Sequence, residues 1–434
     1  MHDVIPVEEL LDPAAMRPVL VARAGAAPDA RCRVLDAKYE AGQSATVLFE
    51  VGTRLVTVLA DAAGFEAFVF PDDPVLASLP SLIAPGPMAE RLSRILNLSV
   101  VACRPRLVRY RAAKRATLAV AMRVLEADRL VNRQVFVKVY SNTAKAEAVF
   151  AEGRALWMSV TAAGCGDLVL AEPLAFDEEV GMIVQATIGA MSHSDFHVGA
   201  DTARTSFPLK GLLGPMDNLD SLLAVAPSGR LDLRAGTGLA GAARAIAAVH
   251  REEPVSTRSR TSETELRRFA ARAGRIEATG AAVGSHLVAL AGDLAQAHRN
   301  LPPPAVGLVH GDCKPSQFLV AHSRRDGHGS ASTGLLDFDH CGLADPAYDV
   351  GSFLAALRKR HLTQSSQLGD WPGRVFLDTY CRAVDKTPDF STLVGWHEAA
   401  ALMRKSLRAF ARAPRSPLPR LLATEATAVL ARTV

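Results

Sequence analysis

Val309-His310-Gly311-Asp312-Cys313-Lys314-Pro315-Ser316-Gln317-Phe318-Leu319-Val320 is followed, after a polar hairpin, by Gly334-Leu335-Leu336-Asp337-Phe338-Asp339. Short apolar runs bounded by Gly, Pro and polar residues read as buried strands. The pair therefore sets Asp312, Gln317 and Asp337 on the ends of two adjacent strands. Phosphoryl transfer asks for little covalent help from a protein. It needs a base near the acceptor hydroxyl, oxygen ligands for magnesium and a lysine on the nucleotide phosphates. Asp312 is placed to accept a hydroxyl proton. Gln317 and Asp337 offer oxygens to a hard cation, and Asp337, a carboxylate, is the stronger ligand. Taken singly, a loop Asp caps turns more often than it does chemistry, and Gln317 could be a polar edge residue. It is the joint occurrence that favours a site. Asp339 points to the opposite face if the strand continues past Asp337, which suits a structural hydrogen bond. Lys314, two residues beyond Asp312, is either a second catalytic group that neutralises the transferring phosphoryl or a solvated turn lysine.

Composition bounds the alternatives. The 434 residues exceed one small domain, and 49% hydrophobic with 22% charged residues is enough for real cores. A net charge of +4, with Lys and Arg interleaved with acids, gives no case for a nucleic-acid protein. Six dispersed cysteines form no CxxC pair, so reduced thiols are expected rather than zinc or disulfides. The start, Met1-His2-Asp3-Val4-Ile5-Pro6, lacks the pattern of an export signal, and no apolar run reaches membrane-spanning length. A cytoplasmic protein with no membrane partner is expected.

Three segments are expected: an extension over 1–95, a β-rich lobe over 96–190 and a helical lobe over 191–434. The first 30 residues read as short helical or irregular pieces, and 66–90, rich in Pro, as a connector. Between them Lys38–Val51 and Arg54–Leu59 form a hairpin turning at Gly52. Arg109–Leu118 matches Lys38–Val47 position by position, with Tyr, Ala, Ala and Thr retained, and continues into the strand Gln134–Tyr140. This is either a weak internal repeat, in which Thr57 falls where Lys138 stands, or a chance likeness of two hairpins in an Ala- and Arg-rich chain.

Lys138 lies between Val137 and Val139, and a buried lysine is costly unless its charge is paired or meets an anion. A nucleotide phosphate and a helix glutamate would satisfy it; of Glu147 and Glu152 on the next helical stretch, Thr143–Val160, Glu152 is the better candidate. The alternative is an edge lysine reaching water. Leu168–Leu170 and Gly181–Gln185 are two further strands of this lobe, ending at Thr187-Ile188-Gly189. From about 236 onward helices dominate: Leu239–His250, one or two over Glu263–Arg299, then Val350–Arg360, Arg374–Val384, Gly395–Ala413 and a last one from Pro419. Arg404, Lys405, Arg408 and Arg412 are spaced as a solvated helix face. The clusters His193–His197 and Arg324–His328 read as polar loops rather than metal sites.

Together these residues resemble the aminoglycoside phosphotransferase and choline kinase superfamily. The resemblance lies in His310-Gly311-Asp312 with Gln317, in Asp337-Phe338-Asp339, in Ala344-Asp345-Pro346-Ala347-Tyr348-Asp349 and in the helix ending at His250; it covers roughly 100–430. It implies an α+β, two-lobed, protein-kinase-like fold with an added N-terminal β-containing segment. It implies an ATP- and magnesium-dependent kinase acting on a hydroxyl of a small molecule, with Asp312 as base and Gln317 and Asp337 as magnesium ligands. Lys138 becomes the nucleotide lysine paired with Glu152, and Gln185 and Gly189 lie in the hinge that meets adenine. Asp349 ties the catalytic loop to the helix that starts there. Two features depart from the family pattern. Gln317 stands for the usual Asn, as in maltokinase-like sugar kinases. Tyr110–Thr117 lacks the glycines of a phosphate loop, leaving backbone N–H groups with Lys114 and Arg115 to face phosphate. A sugar or similar neutral or anionic acceptor is expected. A kinase-like nucleotide-binding or regulatory protein with little catalysis, an aminoglycoside O-phosphotransferase and a protein kinase stand as alternatives. The short Asp339–Pro346 link, with no room for a peptide-docking segment, speaks against the last.

Overall fold

The structure is a computed structural model that describes residues 7–41, 43–164, 168–188, 216–225, 233–253, 256, 258–321, 332–363, 369–384 and 389–433. Gly42, Cys165, Gly189 and the clusters His193–His197 and Arg324–His328 lie outside the described residues.

The chain starts with a helix, Pro13–Ala24, that Asp12 caps by accepting the Ala14 N–H at 2.9 Å and that Gly25 ends in the left-handed region (φ 56°). Such a start and stop are what Asp, Pro and Gly favour at helix ends. Met16, Leu20 and Ala24 bury one stripe of it on an antiparallel four-stranded sheet, Cys32–Glu40, Ser44–Val51, Arg54–Asp61 and Gly64–Val69 in spatial order. The stretch 66–90 is therefore more than a connector. It supplies the fourth strand and the helices Leu79–Ile83 and Pro85–Leu96.

A second sheet follows, with spatial order Ser99–Arg111, Arg115–Glu126, Arg129–Tyr140, Met182–Ala186, Pro173–Asp177, all antiparallel. Alternate residues Leu118, Val120, Met122 and Val124 point into a core shared with Met88 and Leu92 of the preceding helix. The helix Thr143–Ala162, capped by Asn142, packs across the far end of this sheet. Leu168–Leu170 departs from expectation. It pairs in parallel with Thr333–Leu335, in a sheet ordered Met216–Asn218, Phe318–Ala321, Thr333–Leu335, Leu168–Leu170. A three-residue apolar strand carries no mark of which sheet it will join.

The remainder is helical: Leu233–Arg251, Ser262–Ala278, Gly284–His298, Ala347–Thr363, Trp371–Val384, Asp389–Arg412 and Leu418–Thr433. The 263–299 stretch divides into two helices at Gly280, whose φ of 73° an L-residue rarely adopts. Two large cores hold this lobe: one around Leu239, Ile246, Phe353 and Phe376, the other around Leu287, Trp396, Met403 and Leu422. The architecture is the expected α+β one, a β-rich part followed by a larger helical part. Among the described residues no helix is long and apolar enough to cross a membrane.

The two hairpins of the sequence match share one pairing. Lys38, Tyr39 and Glu40 face Thr46, Ala45 and Ser44, while Arg109, Tyr110 and Arg111 face Thr117, Ala116 and Arg115. On the third strand the register sets Leu59 opposite Thr46 and Lys138 opposite Thr117. Leu59, rather than Thr57, thus occupies the place of Lys138. The arms of the second hairpin run on to Glu126↔Arg129, beyond the Val51↔Arg54 end of the first, and this displaces the ungapped alignment.

Candidate active site

Asp312 sits on a loop fixed from below by Asp349. The Asp349 carboxylate, fully buried, accepts the backbone N–H groups of His310 at 2.6 Å and Gly311 at 2.9 Å and meets His250 Nε2 at 3.1 Å. His250 in turn pairs through Nδ1 with the Tyr380 hydroxyl at 2.7 Å. Burial pushes the Asp349 carboxyl up, but His250 and these N–H groups outweigh it and hold it low. Gly311 has φ 78°, and a Cβ there would lie 2.0 Å from the His340 carbonyl oxygen, so only glycine fits. The tie between loop and helix expected of Asp349 is a two-pronged clamp on the residues just before Asp312.

The Asp312 carboxylate receives the Lys314 ammonium and, at 3.1 Å, the Gln317 amide N–H. Burial works to raise the Asp312 pKa, and Lys314, with His310 and His340, brings it below the ordinary carboxylate value. Asp312 is therefore ionised at neutral pH and able to take a proton. A Gln that donates its N–H to Asp312 keeps its carbonyl oxygen for a cation.

Asp337 adopts φ 67°, ψ 62°, the left-handed region, directly after the Thr333–Leu335 strand. Lys138 Nζ lies 3.0 Å from Asp337 Oδ1 and 2.8 Å from Asp339 Oδ1. Arg115 lies 3.5 Å from Asp337 and packs its guanidinium against Asp339. Burial would raise the Asp337 carboxyl, but the Lys138 and Arg115 cations hold it well below the usual carboxylate range. Lys138 is itself pushed down by burial, against the pull of Asp337. Asp339 does not turn to the opposite face. Residues 338–340 wind into a 3-10 turn, so the two-residue alternation of a strand ends at Leu335 and both aspartates reach one lysine.

The expected Lys138–Glu152 pair is not found. Glu152 is taken by Arg258, whose Nε lies at 3.0 Å with Nη2 on the other oxygen, and by the Ser256 hydroxyl at 2.6 Å. A planar guanidinium matches a carboxylate with two parallel bonds, which a lysine cannot do. Arg258 also donates to the Asp339 carbonyl at 3.1 Å, so Glu152 supports the aspartate loop from behind. Gln185 pairs with Phe136 near the end of its strand, which lies beside Lys138's own.

The glycine-free tip Arg111–Arg115 is held by Asp73, a residue the sequence reading passed over. Buried Asp73 accepts the Tyr110 hydroxyl at 2.7 Å and the Ala113 N–H at 2.8 Å. Ala113 takes the left-handed conformation (φ 57°) that a glycine would otherwise fill. Its only prior signal was an Asp between Pro-rich runs.

On the other side of Asp312 opens a cavity of about 660 Å³, walled by the Ser262–Ala278 and Asp389–Arg412 helices, with His340 and Tyr348 at its base. Of the basic residues expected on a solvated face, Arg404, Lys405 and Arg408 line it instead, while Arg412 stays exposed. Arg404 lies over the Tyr348 ring, 4.6 Å from its centroid, donates to the Tyr348 hydroxyl at 2.6 Å and pairs with Glu265 at 2.6 Å. Lys405 is half-buried and Arg412 meets Asp36 at 3.0 Å. Helical spacing alone does not show that another helix covers the face. Among the described residues no cluster of His, Cys, Asp and Glu forms a metal site on its own.

Residues 221–391 match the model of the phosphotransferase enzyme family. No curated protein matches the chain. Among solved structures, the streptomycin–ATP–APH(2")-IIa ternary complex is 10% identical, with 80% of this chain and 97% of that one covered and a TM-score of 0.47. A choline/ethanolamine kinase family protein from Mesorhizobium loti is 15% identical over 76% and 87%, with a TM-score of 0.43. A microcompartment-associated aminopropanol kinase is 15% identical over 97% and 95%, with a TM-score of 0.35. The matched segment contains Asp312, Gln317, Asp337 and Asp349, so the part of the chain that carries the candidate site is similar to the phosphotransferase enzyme family.

Proposed function

We propose that this phosphotransferase moves the γ-phosphoryl group of ATP to a hydroxyl of a small molecule of the sugar or sugar-derivative class. One observation carries the reading: Asp312 stands at a boundary, with an open cavity on one side and the Lys138, Arg115, Asp337 and Gln317 cluster on the other. An acceptor in the cavity would present its hydroxyl to Asp312, which accepts the proton as the oxygen attacks phosphorus. Lys314, now on Asp312, is placed to turn to the transferring phosphoryl. Lys138 and Arg115 would hold the phosphates of the nucleotide, with Gln185, on the strand beside that of Lys138, toward its base. Asp337 and Gln317, both oxygen donors beside ionised carboxylate, suit magnesium, which would supply charge neutralisation on the phosphates. Glu152 acts through Arg258 as a positioning group.

The test is ADP release from the purified full chain with ATP and magnesium across a panel of sugars, amino sugars and amino alcohols. With an accepted substrate, Asp312→Ala should lower kcat by roughly 10³-fold or more while ATP affinity changes little. Wild-type turnover in that variant would remove Asp312 as the base.

A further inference from the structure

The cavity beside Asp312 is lined by seven Arg and Lys residues and only four Asp and Glu residues. Three of those carboxylates are engaged. Glu265 holds Arg404, Asp312 holds Lys314, and Asp345 accepts the Ala347 N–H at 2.7 Å. Lys405 and Arg408, neighbours along one face of the Asp389–Arg412 helix, make no ion pair with a carboxylate among the described residues. Lys405 instead faces cations: Arg404 and Arg408 from its own helix, Lys314 from the Asp312 loop and Lys359 from the Ala347–Thr363 helix. Glu265, across the cavity on the Ser262–Ala278 helix, is occupied by Arg404. Burial first, and these neighbours next, push the Lys405 ammonium down to about 7. Arg404 and Arg408 both lie close enough to Asp312 for the charges to interact, so the basic wall and the base address one space.

A half-buried cation crowded by other cations is unfavourable until an anion arrives. The same wall repels a molecule carrying several ammonium groups. Accepting the reading of Asp312 as base, we infer that the acceptor carries an anionic group, phosphate or carboxylate, gripped by Lys405 and Arg408. That grip presents the acceptor's hydroxyl to Asp312. The nucleotide phosphates do not compete for this role, since Lys138, Arg115 and Asp337 lie outside the cavity wall.

The test measures binding, not turnover. Sulfate, which does not titrate near neutrality, is titrated into the full chain with and without the non-hydrolysable analogue AMP-PNP and magnesium. Saturable binding is expected, displaced by glucose 6-phosphate or by glucuronate but not by glucose; the first competitor identifies a phosphate-type acceptor and the second a carboxylate-type one. Lys405→Met and Arg408→Gln should each weaken sulfate by roughly tenfold, the share of one charge-assisted contact. Sulfate should bind more weakly as pH rises from about 6 to about 8, because Lys405 sheds its proton in that window, and Lys405→Met should flatten the profile. No saturable binding, equal competition by glucose, or wild-type affinity in both variants would overturn the inference. Asp312→Ala separates it from the kinase reading. Removing that carboxylate should leave sulfate affinity equal or tighter, whereas retained ADP release would sink the base and leave the anion site standing.

Discussion

The hairpins Lys38–Thr46 and Arg109–Thr117 are one backbone used twice. Each follows a helix that begins on proline and ends on a left-handed residue, Gly25 in one case and Asn97 in the other, and each closes with the same cross-strand partners. Their tips do different things. The second carries Arg111, Lys114 and Arg115 and lays Arg115 against Asp337 and Asp339. The first carries Tyr39 onto the helical lobe, its ring 6.4 Å from that of Phe410. Behind the tips the third strands offer Lys138 in one copy and Leu59 in the other. The scaffold is thus indifferent to chemistry. What distinguishes a phosphate-facing hairpin from a docking one is the charge at the tip and one residue on the neighbouring strand.

The sharpest break of that contrast is Lys138→Met, which gives the second copy an apolar residue like Leu59. Removing a buried cation aimed at transferring phosphates should cost roughly 10²–10³ in kcat/KM, measured by ADP release. It also leaves Asp337 with Arg115 alone, so its carboxyl should rise from its depressed position. A variant keeping full kcat/KM would mean that Lys138 serves only to neutralise the two aspartates. Leu59→Met, the matched change in the first copy, swaps hydrophobes of similar volume and should leave turnover untouched.

Much of this contrast was legible in the sequence, and the reasons are local. Asp312, Gln317 and Asp337 stood out because strand ends, turn residues and carboxylates come within one short stretch, and the two-lobed α+β outline follows from period-2 patterns giving way to helical ones. Partnerships across long separations were not legible. Arg258 outcompetes Lys138 for Glu152 through a guanidinium fork that no spacing rule announces. Asp339 joins Asp337 on one face because the chain leaves the strand for a 3-10 turn. Lys405 looks solvated until the Ser262–Ala278 helix is seen across the cavity. Asp73, which stands between two prolines' worth of irregular chain, gains meaning only when Tyr110 and Ala113 are found on it.

Asp73→Ala probes the next level, since it leaves every tip side chain in place and removes what orders them. The Ala113 N–H and the Tyr110 hydroxyl would lose a shared buried acceptor, at a cost of about 2–4 kcal/mol in folding stability. If the tip serves the nucleotide, KM for ATP should rise by roughly tenfold with kcat less affected. Stability lost with KM unchanged would show that the basic tip does not touch phosphate. Burial, with Asp73 beside it, already drives the Tyr110 phenol far above its ordinary range, so the bond persists across the working pH range.

The smallest effect on catalysis is expected at the first tip. Tyr39 is half-buried between the N-terminal sheet and the helical core around Phe410, and the exposed Asp36–Arg412 pair beside it adds little because water screens both charges. Tyr39→Ala should therefore act through lost packing, about 1–3 kcal/mol for a partly buried aromatic, read as a lower urea midpoint. Because its hairpin places no charge on Asp312 or Asp337, kcat and KM at temperatures well below unfolding should stay within about twofold of wild type. The comparison makes this a two-sided test. A fall in kcat/KM comparable to that of Asp73→Ala would mean that the docked hairpin shapes the neighbouring cavity wall, where Arg272 feels the charge of Glu40, and that the two copies differ in substrate rather than in kind of work.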